Sequence, residues 1–168
     1  RFLAAKTALA SALAGSIVAG WPWPDGQETQ QPPSCALLLD FEGTLRETLD
    51  RAKGMGLPLH MLLTQPEDAL PYLTRHDSPQ TIGRWLADSG ARLLVVDSLR
   101  DALPGVDEND AAATAQALHG LKGVAQEADC AILLLHHCRK QQSGGDGQAR
   151  WELTMDDLRG SSAIAGAV

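Results

Sequence analysis

The sequence predicts an α/β fold, with a mostly parallel central sheet covered by helices on both faces. Helix and strand signals alternate along the whole chain, beginning with a helix and ending on a strand followed by a polar loop. The strand candidates are apolar throughout rather than at every second position, which is the pattern of strands buried on both faces. Acidic or imidazole side chains directly follow three of these strands. Open parallel sheets gather ligands in that place, beyond the carboxyl ends of their strands.

The first helix is expected from about Lys6 to Ala19, with Leu9, Leu13 and Ile17 as its buried stripe, stopped by Gly20 and the Trp21-Pro22-Trp23-Pro24-Asp25-Gly26 cluster. Arg1, Lys6 and the run Ala8–Gly15 also carry the parts of a short secretory signal, with Ala10-Ser11-Ala12 as a cleavage-like site. Ser11 and Ser16 interrupt that run, so the helix is the reading adopted. Residues 27–34 read as a polar, Pro-rich loop. Cys35–Leu39 is a short apolar strand that delivers Asp40, Phe41 and Glu42. A helix from about Thr44 to Lys53 ends near Gly54 and Gly56, and Leu57–Leu63 is the next strand candidate. Ser78-Pro79 predicts a helix start, with Ser as cap and Pro at the first helical position, and Ile82, Trp85 and Leu86 as the buried face. Leu93–Val96 is the third strand and ends at Asp97. Asp110–Ala128 is the longest helix, with Leu118, Leu121 and Ala125 on one stripe, and Ala131–Leu135 is the last strand. Gly144, Gly145 and Gly147 mark a loop, and a short helix is expected after Met155.

The 168 residues are enough for one domain with a buried core, here spanning 1–168, and too few for two. With 44% hydrophobic and 21% charged residues the composition is that of a globular protein. The formal charge of −7 argues against a surface that coats nucleic acid everywhere, while leaving room for a local basic groove. Cys35, Cys130 and Cys138 form no C-x-x-C pair, an arrangement that suits a reducing compartment, and each is expected to act as a small apolar residue. No apolar run is long enough to cross a bilayer, so no membrane is expected as partner and a cytoplasmic location is. The chain opens on Arg1 rather than Met, as a segment of a longer polypeptide would.

Five places carry residues suited to chemistry. Lys6 and Thr7 open the first helix as the last two residues of a phosphate-binding loop do: the lysine reaches the terminal phosphates and the hydroxyl ligates Mg²⁺. Ala5 stands where that motif has glycine, and would resist a conformation that glycine tolerates. Asp97, at a buried strand end, suits a cation that needs hard oxygen ligands; the plain alternative is a turn-forming Asp. Glu42, on a neighbouring strand end, suits a general base that orients the attacking water, against a solvated glutamate at a helix start, with Asp40 as a competing carboxylate. His136 and His137 precede Cys138, Arg139 and Lys140. Adjacent strand residues point to opposite faces, so one imidazole at most faces a ligand there. Asp157-Leu158-Arg159-Gly160-Ser161-Ser162-Ala163 joins a cation to small hydroxyl residues. His60, His76 and His119 lack such settings and read as structural or solvated.

In their order along the chain, "KTALASALA", "LLLDFEGTLRETLDR", "ARLLVVDSLRDALPGVDENDAA", "AILLLHHCRK" and "LRGSSAIAG" resemble the RepA-like branch of RecA-fold ATPases, which includes plasmid- and phage-type hexameric replicative helicases. The resemblance implies a three-layer RecA-like P-loop fold that binds ATP with Mg²⁺. It places phosphate and metal roles on Lys6 and Thr7, the acidic metal ligand on Asp97, the base on Glu42 and a terminal-phosphate sensor on His137. It also implies that Gln141–Glu152 faces a central channel, that Arg139, Lys140 and Arg150 meet single-stranded DNA, and that Arg159 serves catalysis across a subunit boundary in a homo-oligomeric ring, a hexamer. Alternatives within the fold are a degenerate, non-hydrolysing interaction domain and a recombinase- or clock-type relative. The chain stops at Val168, where the family continues, so it is expected to be incomplete at both ends.

Overall fold

The computed structural model describes residues 3–107 and 110–136, with side chains described from Ala8 onward. Among the described residues four α-helices and four strands alternate: α1 (Leu3–Ala19), β1 (Ala36–Asp40), α2 (Leu45–Gly54), β2 (Leu62–Thr64), α3 (Ser78–Ser89), β3 (Leu93–Asp97), α4 (Ala111–Ala128) and β4 (Ala131–Leu135). All pairings are parallel, in the order β2-β1-β3-β4. The sequence-based expectation of a parallel RecA-like α/β fold therefore holds.

The alternation of side chains across each strand divides the core in two. Leu37 and Leu39 of β1 and Leu94 and Val96 of β3 pack with Ile82 and Leu86 of α3 and with Leu118, Leu121 and Val124 of α4. Ala36 and Leu38, with Leu93 and Val95, pack with Ala10, Ala14 and Val18 of α1 and Ala52 of α2. The sheet is thus the middle of three layers. Because Asp40 and Asp97 continue the second series, both belong to the α1 face. On that face Asp97 lines a cavity of about 20 Å³ together with Ser11, Ala14, Thr48 and Leu135.

The helix ends follow from local chemistry. Asp110 caps α4 by accepting from the amides of Ala112 and Ala113, both at 3.0 Å, which satisfies two of the orphan donors of the first turn. In α2, Glu47 lies in the first turn and Arg51 and Lys53 in the last, each complementing the helix dipole.

Four expectations need correction. In α1 the buried stripe is Ala10, Ala14 and Val18, one position on from the expected one, and Leu9 is 54% exposed. Small residues let this helix lie close on the sheet, and close approach outweighs side-chain bulk here. The same economy explains Gly15, where a Cβ would fall 2.2 Å from the Trp21 ring. The second strand is only Leu62–Thr64, preceded by a 3-10 turn over Leu59–Met61. Pro58, which has no amide to give a ladder, starts that turn, and the amide of Met61 bonds its carbonyl. Asp77 occupies the cap position of α3, while Ser78 lies inside the helix and donates its hydroxyl to the Tyr72 carbonyl at 2.6 Å. On α4 the stripe continues through Val124 rather than Ala125. The loop 141–152 and the helix expected after Met155 lie outside the described residues.

Candidate active site

Three parallel strands end side by side, and their backbones lock the ends together. Asp40 and Asp97 are register partners on β1 and β3. Past that pair, the carbonyl of Asp97 accepts from the amide of Phe41 at 2.5 Å and from that of Glu42 at 3.3 Å. On the other side, the amide of Leu99 donates to the carbonyl of Leu135, the last residue of β4, at 2.9 Å. The segment after β1 is therefore tied to the end of β3, and the segment after β3 to the end of β4.

Asp97 is 4% exposed. A buried carboxylate at a strand end is a hard oxygen donor, the type that Mg²⁺ takes one or two of before completing its shell with phosphate oxygens and water. Among the described residues no group of three His, Cys, Asp or Glu side chains is placed to cage a metal. A cation beside Asp97 would complete its shell with phosphate oxygens and water, and the hard carboxylate oxygen of Asp97 fits Mg²⁺ in that role. The next residue, Ser98, is fully buried and donates its hydroxyl to Asp101. That pairing fixes the turn after Asp97, and it was not foreseen from the sequence, although S-x-x-D is a local hydrogen-bonding pattern.

The two carboxylates at and just past the end of β1 have different settings. Asp40 is 6% exposed, and one of its oxygens accepts from the amides of Glu42 at 2.9 Å and Gly43 at 3.0 Å. Its other oxygen faces the Thr44 hydroxyl at 3.4 Å. Burial raises the Asp40 pKa above the ordinary carboxyl value, and these hydrogen bonds only partly oppose it. Asp40 is therefore engaged with its own turn. Glu42 is the partly exposed member of the pair, at the carboxyl edge of the sheet. The Phe41 ring packs on Tyr72, with centroids 5.4 Å apart, which anchors the residue before Glu42 on the α3 side.

The remaining candidates are placed less fully. Ala5, Lys6 and Thr7 belong to the start of α1, whose side chains are described only from Ala8. His136 is half-buried just past β4. His137, Arg139, Lys140, Arg150 and Arg159 lie outside the described residues. Of the cysteines, Cys35 is half-buried and Cys130 is buried, with burial pushing the Cys130 thiol up to about 11, consistent with the inert role expected. No helix among the described residues is long and apolar enough to cross a membrane.

A second concavity, of about 730 Å³, opens at the amino ends of the same strands, lined among others by Ser34, Arg92, Lys122, Gln126 and Asp129. It is the larger of the two, but it lies at the far end of the sheet from Asp97 and holds no buried carboxylate. Among the described residues the buried acids, Asp40 and Asp97, are grouped at the carboxyl edge.

No curated protein matches this sequence. The AAA domain model matches residues 3–143, a span that takes in α1, all four strands and both strand-end acids. With that match and a parallel sheet whose acidic residues collect at its carboxyl edge, the chain belongs to the AAA domain family of P-loop ATPases.

Proposed function

We propose that this domain is the motor core of a RepA-like ATPase, which hydrolyses Mg-ATP to move along or unwind single-stranded DNA from within a homo-oligomeric ring. The observation that carries the reading is the tether between Glu42 and Asp97. One strand end holds a buried acid of the type a Mg-phosphate complex needs, and the neighbouring end holds a second acid whose backbone is bonded to the first.

In this reading Asp97 helps to hold the cation, and Glu42 accepts a proton from the attacking water while orienting it. Bound Mg²⁺ supplies charge neutralisation on the terminal phosphates. Lys6 and Thr7 serve the phosphates and the cation from the start of α1, whose N-terminal dipole favours anions. His137 senses the terminal phosphate. Arg139, Lys140 and Arg150 bind the DNA backbone, and Arg159 acts on a neighbouring subunit's nucleotide. These assignments rest on the resemblance, and the AAA domain match supports nucleotide binding in general.

Ala5 would favour a non-hydrolysing domain if its backbone needed glycine's freedom. However, α1 already runs through residue 5, and in a helix Ala is better than Gly by about 1 kcal/mol. Hydrolysis is therefore the preferred reading. Replacing Glu42 by Gln should lower ATP turnover about 10²–10⁴-fold and leave Mg-ATP affinity nearly intact. Turnover equal to that of the parent protein would remove Glu42 as base. Absence of any stimulation by single-stranded DNA would remove the motor assignment and keep the ATPase.

A further inference from the structure

Asp40 is buried beside Asp97 in the sheet, and among the described residues its carboxylate bonds within its own turn, to the amides of Glu42 and Gly43 and to Thr44. We propose that Asp40 is the positioning residue for Glu42: it sets the turn over residues 41–44 that places the base against the end of β3. The inference rests on the reading of Glu42 as base.

The argument is geometric. The amide of Glu42 has two acceptors, the Asp40 carboxylate at 2.9 Å and the Asp97 carbonyl at 3.3 Å. The shorter of these two bonds belongs to Asp40, so the Glu42 backbone is held from within its own turn as well as against the neighbouring strand, where the Phe41 amide also bonds the Asp97 carbonyl. Gly43 follows with φ +75°, a left-handed conformation that a side chain strains, and its amide points back to the same Asp40 oxygen. Two successive amides folded onto one carboxylate make a closed turn, the way a short acidic side chain substitutes for a backbone acceptor. A solvated turn would serve to leave β1 and begin α2. What the buried carboxylate adds is a fixed origin for the Glu42 side chain, measured from the same strand pair that carries Asp97. A general base works only within hydrogen-bond reach of the water it activates, and a misplacement of about 1 Å costs up to about a hundredfold in rate. Asp40 itself, buried and engaged with Glu42, Gly43 and Thr44 of its own turn, is not the group that meets water.

The test uses the intact protein with Asp40→Ala, Asp40→Asn and Gly43→Ala, reading amide hydrogen exchange over residues 41–45 beside steady-state ATP hydrolysis. In Asp40→Ala, exchange at Glu42 and Gly43 should rise about tenfold, as loss of a net hydrogen bond implies. In the same variant kcat should fall about 10–100-fold with KM held within about threefold. Asp40→Asn keeps an acceptor oxygen and should restore both. Gly43→Ala disturbs the turn from its other end without touching the buried acid, and should reproduce the loss in kcat. Unchanged exchange in Asp40→Ala overturns the proposal at the turn. A joint loss of kcat, affinity and melting temperature that Asp40→Asn does not rescue overturns it in favour of a merely structural role. If Glu42→Gln turns over ATP at the parent rate, there is no base to position. That failure belongs to the functional reading and is distinguished by the exchange result, which does not depend on hydrolysis.

Discussion

The two ends of the central sheet differ in how they treat charge. At the carboxyl ends of β1 and β3, Asp40 and Asp97 are nearly inaccessible, and backbone bonds between the strand ends hold the surrounding turns. At the amino ends, Arg92 and Asp129 form an ion pair with side chains 53% and 87% exposed, at the rim of a much larger concavity. Exposed pairs contribute little because water and salt screen them. Buried acids are costly, and they persist where hydrogen bonds or a ligand repay the desolvation. Size of cavity and concentration of chemistry are therefore separate properties in this molecule.

Substitutions at the two ends should separate accordingly. The largest effect is expected for Asp97→Ala, which should weaken Mg-dependent nucleotide binding by more than the roughly 10–100-fold that loss of an outer-shell partner costs a metal site. Titration with and without Mg²⁺ measures it, and equal affinities in the two conditions for the parent protein would erase the contrast. Next comes Gly15→Ala in the second half of α1, where the new methyl meets the Trp21 ring and should cost about 1–3 kcal/mol of stability. A double-mutant cycle with Trp21→Ala should recover most of it. Smaller still, Arg92→Ala should cost about 0.2–1 kcal/mol, a difference that added salt should shrink. A cost of several kcal/mol there would mean that the amino end is no ordinary surface.

The smallest effect expected is a pH-dependent gain in Asp40→Asn. Because burial raises the Asp40 pKa, the folded state holds that proton more tightly than the unfolded chain does. The stability linked to this proton is complete below the ordinary carboxyl value of 3.8 and is lost as pH rises through the raised folded value. The Asn variant has no such loss. Its melting temperature should exceed that of the parent at neutral pH, and the gap should close as pH falls to about 4. A gap that widened on acidification would reverse the sign of the burial effect.

Much of this architecture was legible in the sequence. The runs Leu93–Val96 and Ala131–Leu135 are apolar enough to announce parallel strands, of which β3 is buried throughout and β4 only partly, and Asp110 announces the start of α4. The face of α1 was hidden because hydropathy favours Leu9 and Leu13, whereas a helix lying close on a sheet buries Ala10 and Ala14. The short β2 was hidden because Pro58 gives no outward sign of how far the following turn runs. The place of Asp97 at the end of β3 and of Glu42 just past β1 was legible from the apolar runs before them. The difference in setting between Asp40 and Glu42 was not, because composition cannot say which of two acids bonds its own turn. The pattern D-x-E-G-T, with glycine three residues after the acid, carries that signal once a closed turn is sought.

The strand order β2-β1-β3-β4 also has a consequence for biosynthesis. β1 lies between β2 and β3, and β3 is made only after β2 and α3. At about 5–20 residues per second, several seconds separate the emergence of Ala36–Asp40 from that of Leu93–Asp97. Through that interval a strand apolar on both faces has only the three-residue β2 as a partner in the sheet, with α1 and α2 available to cover one of its faces. The same burial that shelters the acids at the strand ends thus leaves the Leu37 and Leu39 face of β1 uncovered until α3 and β3 have been made.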